Sequence, residues 1–225
     1  MRRVTSLYGT SIGKKFAMAL SAILLLLYLV LHMWGNLKIF FGPEKFNHYA
    51  EWLRVVGEPV FGPKQVLWIF RVVLLAAIGV HIYAYAELWL QSYRARRHRY
   101  RRYDPQVFSF ASRAMMWGGI AIFLFVLYHL MHFTWGNRHP DFIPGDAYHN
   151  VVVGFQSWPL VLIYLGALLA VGLHLYHGVW SWFQTMGLSN PRLNQWRRPT
   201  ALVVALVICL GFAAVPIAVV TGFVS

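Results

Sequence analysis

Ten histidines and a single cysteine are the side chains of this 225-residue chain best suited to holding a metal or passing a proton. Six of them, His32, His81, His129, His132, His174 and His177, lie inside long apolar runs, while His48, His98, His139 and His149 fall in polar connections, where solvated surface is the expectation. An imidazole inside a bilayer is costly and faces the bundle interior with a partner. Imidazole nitrogens suit iron. The lone Cys209 excludes an intramolecular disulfide, a cysteine-ligated iron–sulfur cluster and a C-x-x-C-H haem attachment. Any redox centre must therefore rest on the histidines.

The elements that carry these residues have the length of membrane spans. Apolar residues make up 59% of the chain and charged residues 12%, with a mean hydropathy of +0.53. A soluble domain sits near ~45–50% apolar, so a soluble enzyme and a disordered chain are both excluded. The excess of 20 Lys and Arg over 7 Asp and Glu has no soluble body to carry it, which argues against nucleic acid as a partner. A bilayer core needs ~20 apolar residues of helix, and five stretches qualify, near residues 15–37, 65–90, 113–136, 158–183 and 200–222. Arg71 and Glu87 lie toward the two ends of the second, where long side chains can reach the interfaces. The fourth is placed to start at Trp158-Pro159, since proline suits a first helical turn. The first follows a basic segment as a signal peptide would, but it runs past 20 residues without an A-x-A-like exit and is expected to stay in the bilayer.

Charge orients the chain. With the N-terminus inside, the inner segments hold fourteen Lys and Arg and the outer loops five. The expectation is a multi-pass protein of the cell's inner (cytoplasmic) membrane, N-terminus cytoplasmic and C-terminus outside. In the first outer loop Phe46, Tyr49, Trp52, Leu53 and Val56 recur at helical spacing, which predicts a short helix lying on the surface. The Arg- and Tyr-rich inner loop at 93–103 suits lipid headgroups and equally the docking of a soluble partner.

Depth now sorts the histidines. At ~1.5 Å per residue, His32 and His129 lie about 25 and 22 Å above the inner ends of their helices. By the same rise His81 and His174 lie about 14 Å above theirs. Two layers result: His32 with His129 or His132 in the outer half, and His81 with His174 or His177 in the inner half. Each doublet is spaced i, i+3 on one face, so periodicity leaves both members open. Paired imidazoles at two depths on four helices are what two stacked bis-histidine haems of b type require. Ser21 and Gly118 fall at the inner layer and Gly166 at the outer, small residues where a porphyrin needs room.

The chain as a whole resembles the five-helix, dihaem cytochrome b (b558-type) membrane anchor of succinate dehydrogenase, a succinate:quinone oxidoreductase. The resembling segments are Ser11-Ile12-Gly13-Lys14-Lys15, His32-Met33-Trp34-Gly35-Asn36-Leu37, Ser112-Arg113 through Tyr128-His129-Leu130-Met131-His132-Phe133, and Gly172-Leu173-His174-Leu175-Tyr176-His177-Gly178-Val179-Trp180-Ser181. The resemblance implies an all-α membrane protein with two stacked haems in a bundle of the first four helices. It implies His32 and His129 as ligands of the outer haem, and His81 and His174 of the inner one. His132 and His177 would stand behind them, near a propionate or quinone. Ser11, Lys14, Lys15 and Arg113 would sit at the inner edge, where cations hold propionates or lipid phosphate. It further implies flavoprotein and iron–sulfur subunits as cytoplasmic partners, and a quinone, commonly menaquinone, as substrate by the outer haem. Glu51 and Glu58 are candidates for proton exchange there. One departure is Gly172, where some family members carry a glutamate associated with proton passage.

Three other readings compete. A cytochrome b of formate dehydrogenase or hydrogenase would place its histidines in a different helix order. A proton-coupled transporter would use them as relays, but Arg71 and Glu87 are the only ionised groups within its spans and no inverted repeat is visible. A haem-free anchor would have no need for histidine at all four positions.

Overall fold

The computed structural model describes residues 9–95 and 110–225, with side chains from 115 onward in the second stretch. Arg2, Arg3, His98 and most of the basic inner loop lie outside the described residues, as does the side chain of Arg113. The described chain is all helix and turn: α1 (Ser11–Leu37), α2 (Pro43–Val55), α3 (Gln65–Ala95), α4 (Phe110–Phe133), α5 (Ala147–Gly154), α6 (Trp158–Thr185) and α7 (Pro191–Val220). A 3-10 turn, Lys38–Phe41, joins α1 to α2. Five helices, α1, α3, α4, α6 and α7, are long and apolar enough to cross a membrane.

Local chemistry sets the boundaries. The Thr10 hydroxyl accepts from the Gly13 N–H at 3.0 Å and caps α1. Pro159 stands in the first turn of α6, where its missing N–H costs nothing. The last span differs from the expectation of 200–222. Asn190 caps it, accepting from the Leu193 N–H at 2.9 Å, and Pro191 opens it, so α7 starts nine residues before the apolar run and continues through Pro199. Hydropathy marks where a helix enters the bilayer, not where it begins.

Helix α2 is the short helix expected between the first two spans, with Phe46 turned inward and buried. The connection between α4 and α6 holds a short helix, α5, that no periodic pattern in the sequence marks. Asp146 starts it, its carboxylate accepting from the His149 N–H and from Asn47 Nδ2, each at 2.9 Å. Asn47 also accepts from the Tyr148 N–H at 2.9 Å, which ties α2 to α5. Asp146 is held below its ordinary pKa of 3.8, chiefly by the His149 N–H and then by Asn47. Together α2 and α5 cap one end of the bundle. The buried hydrophobic core lies under that cap: Ile39, Phe46, Val152, Phe155, Val161 and Tyr164 pack with the C-terminal part of α7. Elsewhere the bundle faces outward with apolar surface. On α1, Leu20, Leu24, Leu27 and Leu31 form one exposed stripe, as a lipid-facing helix requires, while Lys14, Ser21 and Gly35 are buried.

Close helix packing joins α1 to α3, α4 to α6, and α7 to both α6 and α1. At Gly172 of α6 an added Cβ would lie 2.9 Å from Cys209 Sγ, and at Gly211 of α7 it would run into Met33 Sδ. Small residues thus let α7 seat against its two neighbours. Among the described residues, close packing joins neither α1 with α4 nor α3 with α6. The two helix pairs face one another, and histidines occupy the space between.

Candidate functional site

At the capped end, His32 on α1 meets His129 on α4, with ring centres 5.9 Å apart and planes at 84°. Tyr28, one turn before, stacks on His32 at 5.2 Å, and Phe212 of α7 approaches it at 5.6 Å. Toward the open end, His81 on α3 meets His174 on α6 at 6.1 Å. Each pair bridges helices whose backbones do not pack closely. An imidazole–metal–imidazole bridge with metal–nitrogen bonds of ~2 Å sets ring centres ~6 Å apart. No group of three or more metal-binding side chains occurs among the described residues. Two imidazoles alone satisfy an iron whose remaining positions are taken by a macrocycle.

The surroundings fit such a group. His174 Nδ1 is buried without a partner. A Cβ on Gly119 would lie 3.9 Å from the His174 ring, and one on Gly118, Gly166 or Gly178 would meet nothing within 4 Å. The Ser21 hydroxyl donates to the Met18 carbonyl at 2.9 Å and lies 3.4 Å from His81 Nδ1. With its proton committed, its oxygen is left to accept; a His81 carrying its proton on Nδ1 would donate there or to the Met18 carbonyl and keep Nε2 for a metal. The expectation that Ser21 stands at the inner layer matches this contact.

The doublets separate in space. His129 faces His32, whereas His132 is fully buried, with Nδ1 2.8 Å from the Tyr164 hydroxyl and its ring 5.1 Å from that of His139. His174 faces His81, whereas His177 packs against Trp180 at 5.6 Å, its Nδ1 buried without a partner. The i, i+3 offset of ~60° in helical phase is enough to turn one imidazole across the bundle and its neighbour along it.

Other expected site residues divide. Lys14 is buried and forms an ion pair with Glu87 of α3, so its ammonium is engaged within the protein rather than open at the edge. Ser11 and Lys15 are exposed in the first turn of α1. Glu58 is exposed, and Glu51 lines a surface pocket of about 450 Å³ with His48, Trp52, Arg54 and Lys64. Two residues that looked unremarkable matter here. His139 is half-buried rather than solvated: its Nε2 donates to the Asn150 carbonyl at 2.7 Å, and its Nδ1 accepts from the Asp141 N–H at 3.1 Å. Tyr164 is buried among the histidines of α4. No spacing rule links a lone tyrosine on one span to histidines on another, so only the helix packing reveals it.

At Gly172, the Cys209 sulfur fills the direction a side chain would take. The space beside Gly172 is therefore closed by α7.

Residues 91–214, over half of the chain, match the family model of the succinate dehydrogenase/fumarate reductase transmembrane subunit. No curated protein and no solved structure matches the chain. The family match takes in the end of α3 and the helices bearing His129, His132, His174 and His177, and it sets aside the formate dehydrogenase, hydrogenase and transporter readings. This chain belongs to the succinate dehydrogenase/fumarate reductase transmembrane subunit family, the membrane anchors of a multi-subunit redox complex.

Proposed function

We propose that this anchor is a dihaem cytochrome b carrying electrons between the complex's iron–sulfur subunit and membrane quinone, probed most directly through its four facing histidines. The observation that carries the reading is the pair of ring–ring separations, 5.9 Å for His32 with His129 and 6.1 Å for His81 with His174, on four different helices. Bound there, b-type haem supplies one-electron iron chemistry at two depths of the membrane. The chain's own work is to hold and aim the ligands. Tyr28 and Phe212 fix the plane of His32, Ser21 selects the tautomer of His81, and the aliphatic spans keep water away.

The bias of fourteen basic residues against five supports a cytoplasmic N-terminus and an outer C-terminus, with the capped end outermost. On that orientation the flavoprotein and iron–sulfur subunits dock at the basic inner side, where Ser11, Lys15 and Arg113 meet propionates or lipid phosphate. A quinone, menaquinone by resemblance, exchanges electrons near His32 and His129, and Glu51 or Glu58 serves its protons at the outer surface. His132 and His177 back the ligands.

The test is spectroscopic. Membranes from an expressing strain should give a reduced-minus-oxidised b-type spectrum, and the isolated complex two haems per chain by pyridine haemochrome. His81→Tyr should lower that count to one and break electron transfer to quinone. Two haems with normal potentials in this variant would refute the pairing of His81 with His174, and a haem-free wild type would leave a plain structural anchor.

A further inference from the structure

Tyr164 stands where the two histidines of α4 diverge. Its hydroxyl lies 2.8 Å from His132 Nδ1 and 3.4 Å from His129 Nδ1. The ring cannot wander: Tyr164 is 6% exposed, and Phe125 at 4.9 Å and Phe155 at 4.8 Å hold it edge to face from two sides. A phenol has one proton and here meets two ring nitrogens, so it donates to one and accepts from the other. A neutral histidine that binds a metal through Nε2 carries its proton on Nδ1. His129 is then the donor to the Tyr164 oxygen, and the Tyr164 proton goes to His132 Nδ1 at the shorter distance. His132 in turn keeps its own proton on Nε2, the buried atom without a partner.

Resting on the haem reading above, we propose that Tyr164 is a positioning residue for His129, its hydroxyl accepting from Nδ1–H and, polarised by His132, holding the ring so that Nε2 faces His32. An acceptor on Nδ1 makes the imidazole a more basic ligand, which favours the ferric state and lowers the potential of that one centre. A purely space-filling tyrosine would do neither, and Tyr164→Phe keeps the ring and its packing while removing the hydroxyl.

The experiment uses the isolated complex carrying Tyr164→Phe or His132→Leu, each alone and combined with His81→Tyr, in which only the outer haem remains. Redox titration and low-temperature EPR of the ferric protein read one centre at a time. The expected result is an upward shift of the outer midpoint potential and a displaced low-spin EPR signal in Tyr164→Phe, the inner haem unchanged. His132→Leu should shift the outer centre in the same direction by less. Unmoved outer potential and EPR signal in Tyr164→Phe, or a downward shift, overturns the proposal while two haems per chain leave the haem reading intact. Should Tyr164→Phe fail to assemble, His132→Leu decides on the same two readings. A wild-type complex without haem overturns both.

Discussion

Lys14 and Glu87 come from positions 73 residues apart and meet as an ion pair between α1 and α3, with side-chain exposures of 8% and 33%. Seven residues beyond Lys14 on α1, Ser21 meets His81, six residues before Glu87 on α3. The same two helix faces thus carry an ionic contact and a hydroxyl–imidazole contact, and the first fixes the register on which the second depends. Removing one partner strands the other. Glu87→Gln or Lys14→Met should destabilise the bundle by roughly 1–3 kcal/mol, at the lower end for the change that strands the more exposed Glu87. Unfolding in detergent measures it, and the double variant should cost less than the sum of the singles. The layering of the histidines was legible from depth alone, because rise per residue converts position into height. Which member of each doublet turns across the bundle was not, and neither was the Lys14–Glu87 pair, since nothing local in either segment names the other.

At the level of elements, α6 and α7 are held close by the absence of a side chain at Gly172. Its Cβ position lies 2.9 Å from Cys209 Sγ, and that sulfur in turn donates to the Leu168 carbonyl at 3.3 Å. Gly172→Val should therefore cost about 1–3 kcal/mol through overpacking, and Cys209→Ala in the same chain should recover a good part of it; thermal unfolding of the four proteins reads the coupling. Helix α5 depends on its cap. Asp146→Ala should cost about 1 kcal/mol, seen as faster amide exchange in α5. The pH dependence follows from the depressed carboxyl. A group whose folded pKa lies below its unfolded value stabilises above the unfolded value, near 3.8, and that contribution is lost as pH falls from there through the folded value. Acid should loosen α5 in the native chain and have little further effect in Asp146→Ala. The five spans were readable because hydropathy is a local sum. The Ala147–Gly154 helix was hidden, since three consecutive valines favour a strand and its cap draws on Asn47, about a hundred residues away.

Taken whole, the molecule keeps its tight hydrophobic core at the end capped by α2 and α5 and exposes apolar side chains along the rest of its length. That arrangement suits a protein whose solvent is lipid over most of its surface, where packing between helices and not exclusion of water holds the spans together. The charge asymmetry predicts the topology: a periplasmic reporter fused after Ser225 should be active, and the same reporter fused in the loop after α3 inactive. The reverse pattern would place the capped end in the cytoplasm.

Helix α7 bears no histidine, yet its Phe212 ring lies 5.6 Å from His32 and its Gly211 receives the neighbouring Met33. The aim of an imidazole on α1 is thus set in part by α7, a helix that follows it by more than 150 residues in sequence. Bulky replacements in α7 should disturb the seating of His32 against His129 from a distance, and, on the proposed haem reading, loss of haem in such variants would report a missing buttress rather than a missing ligand.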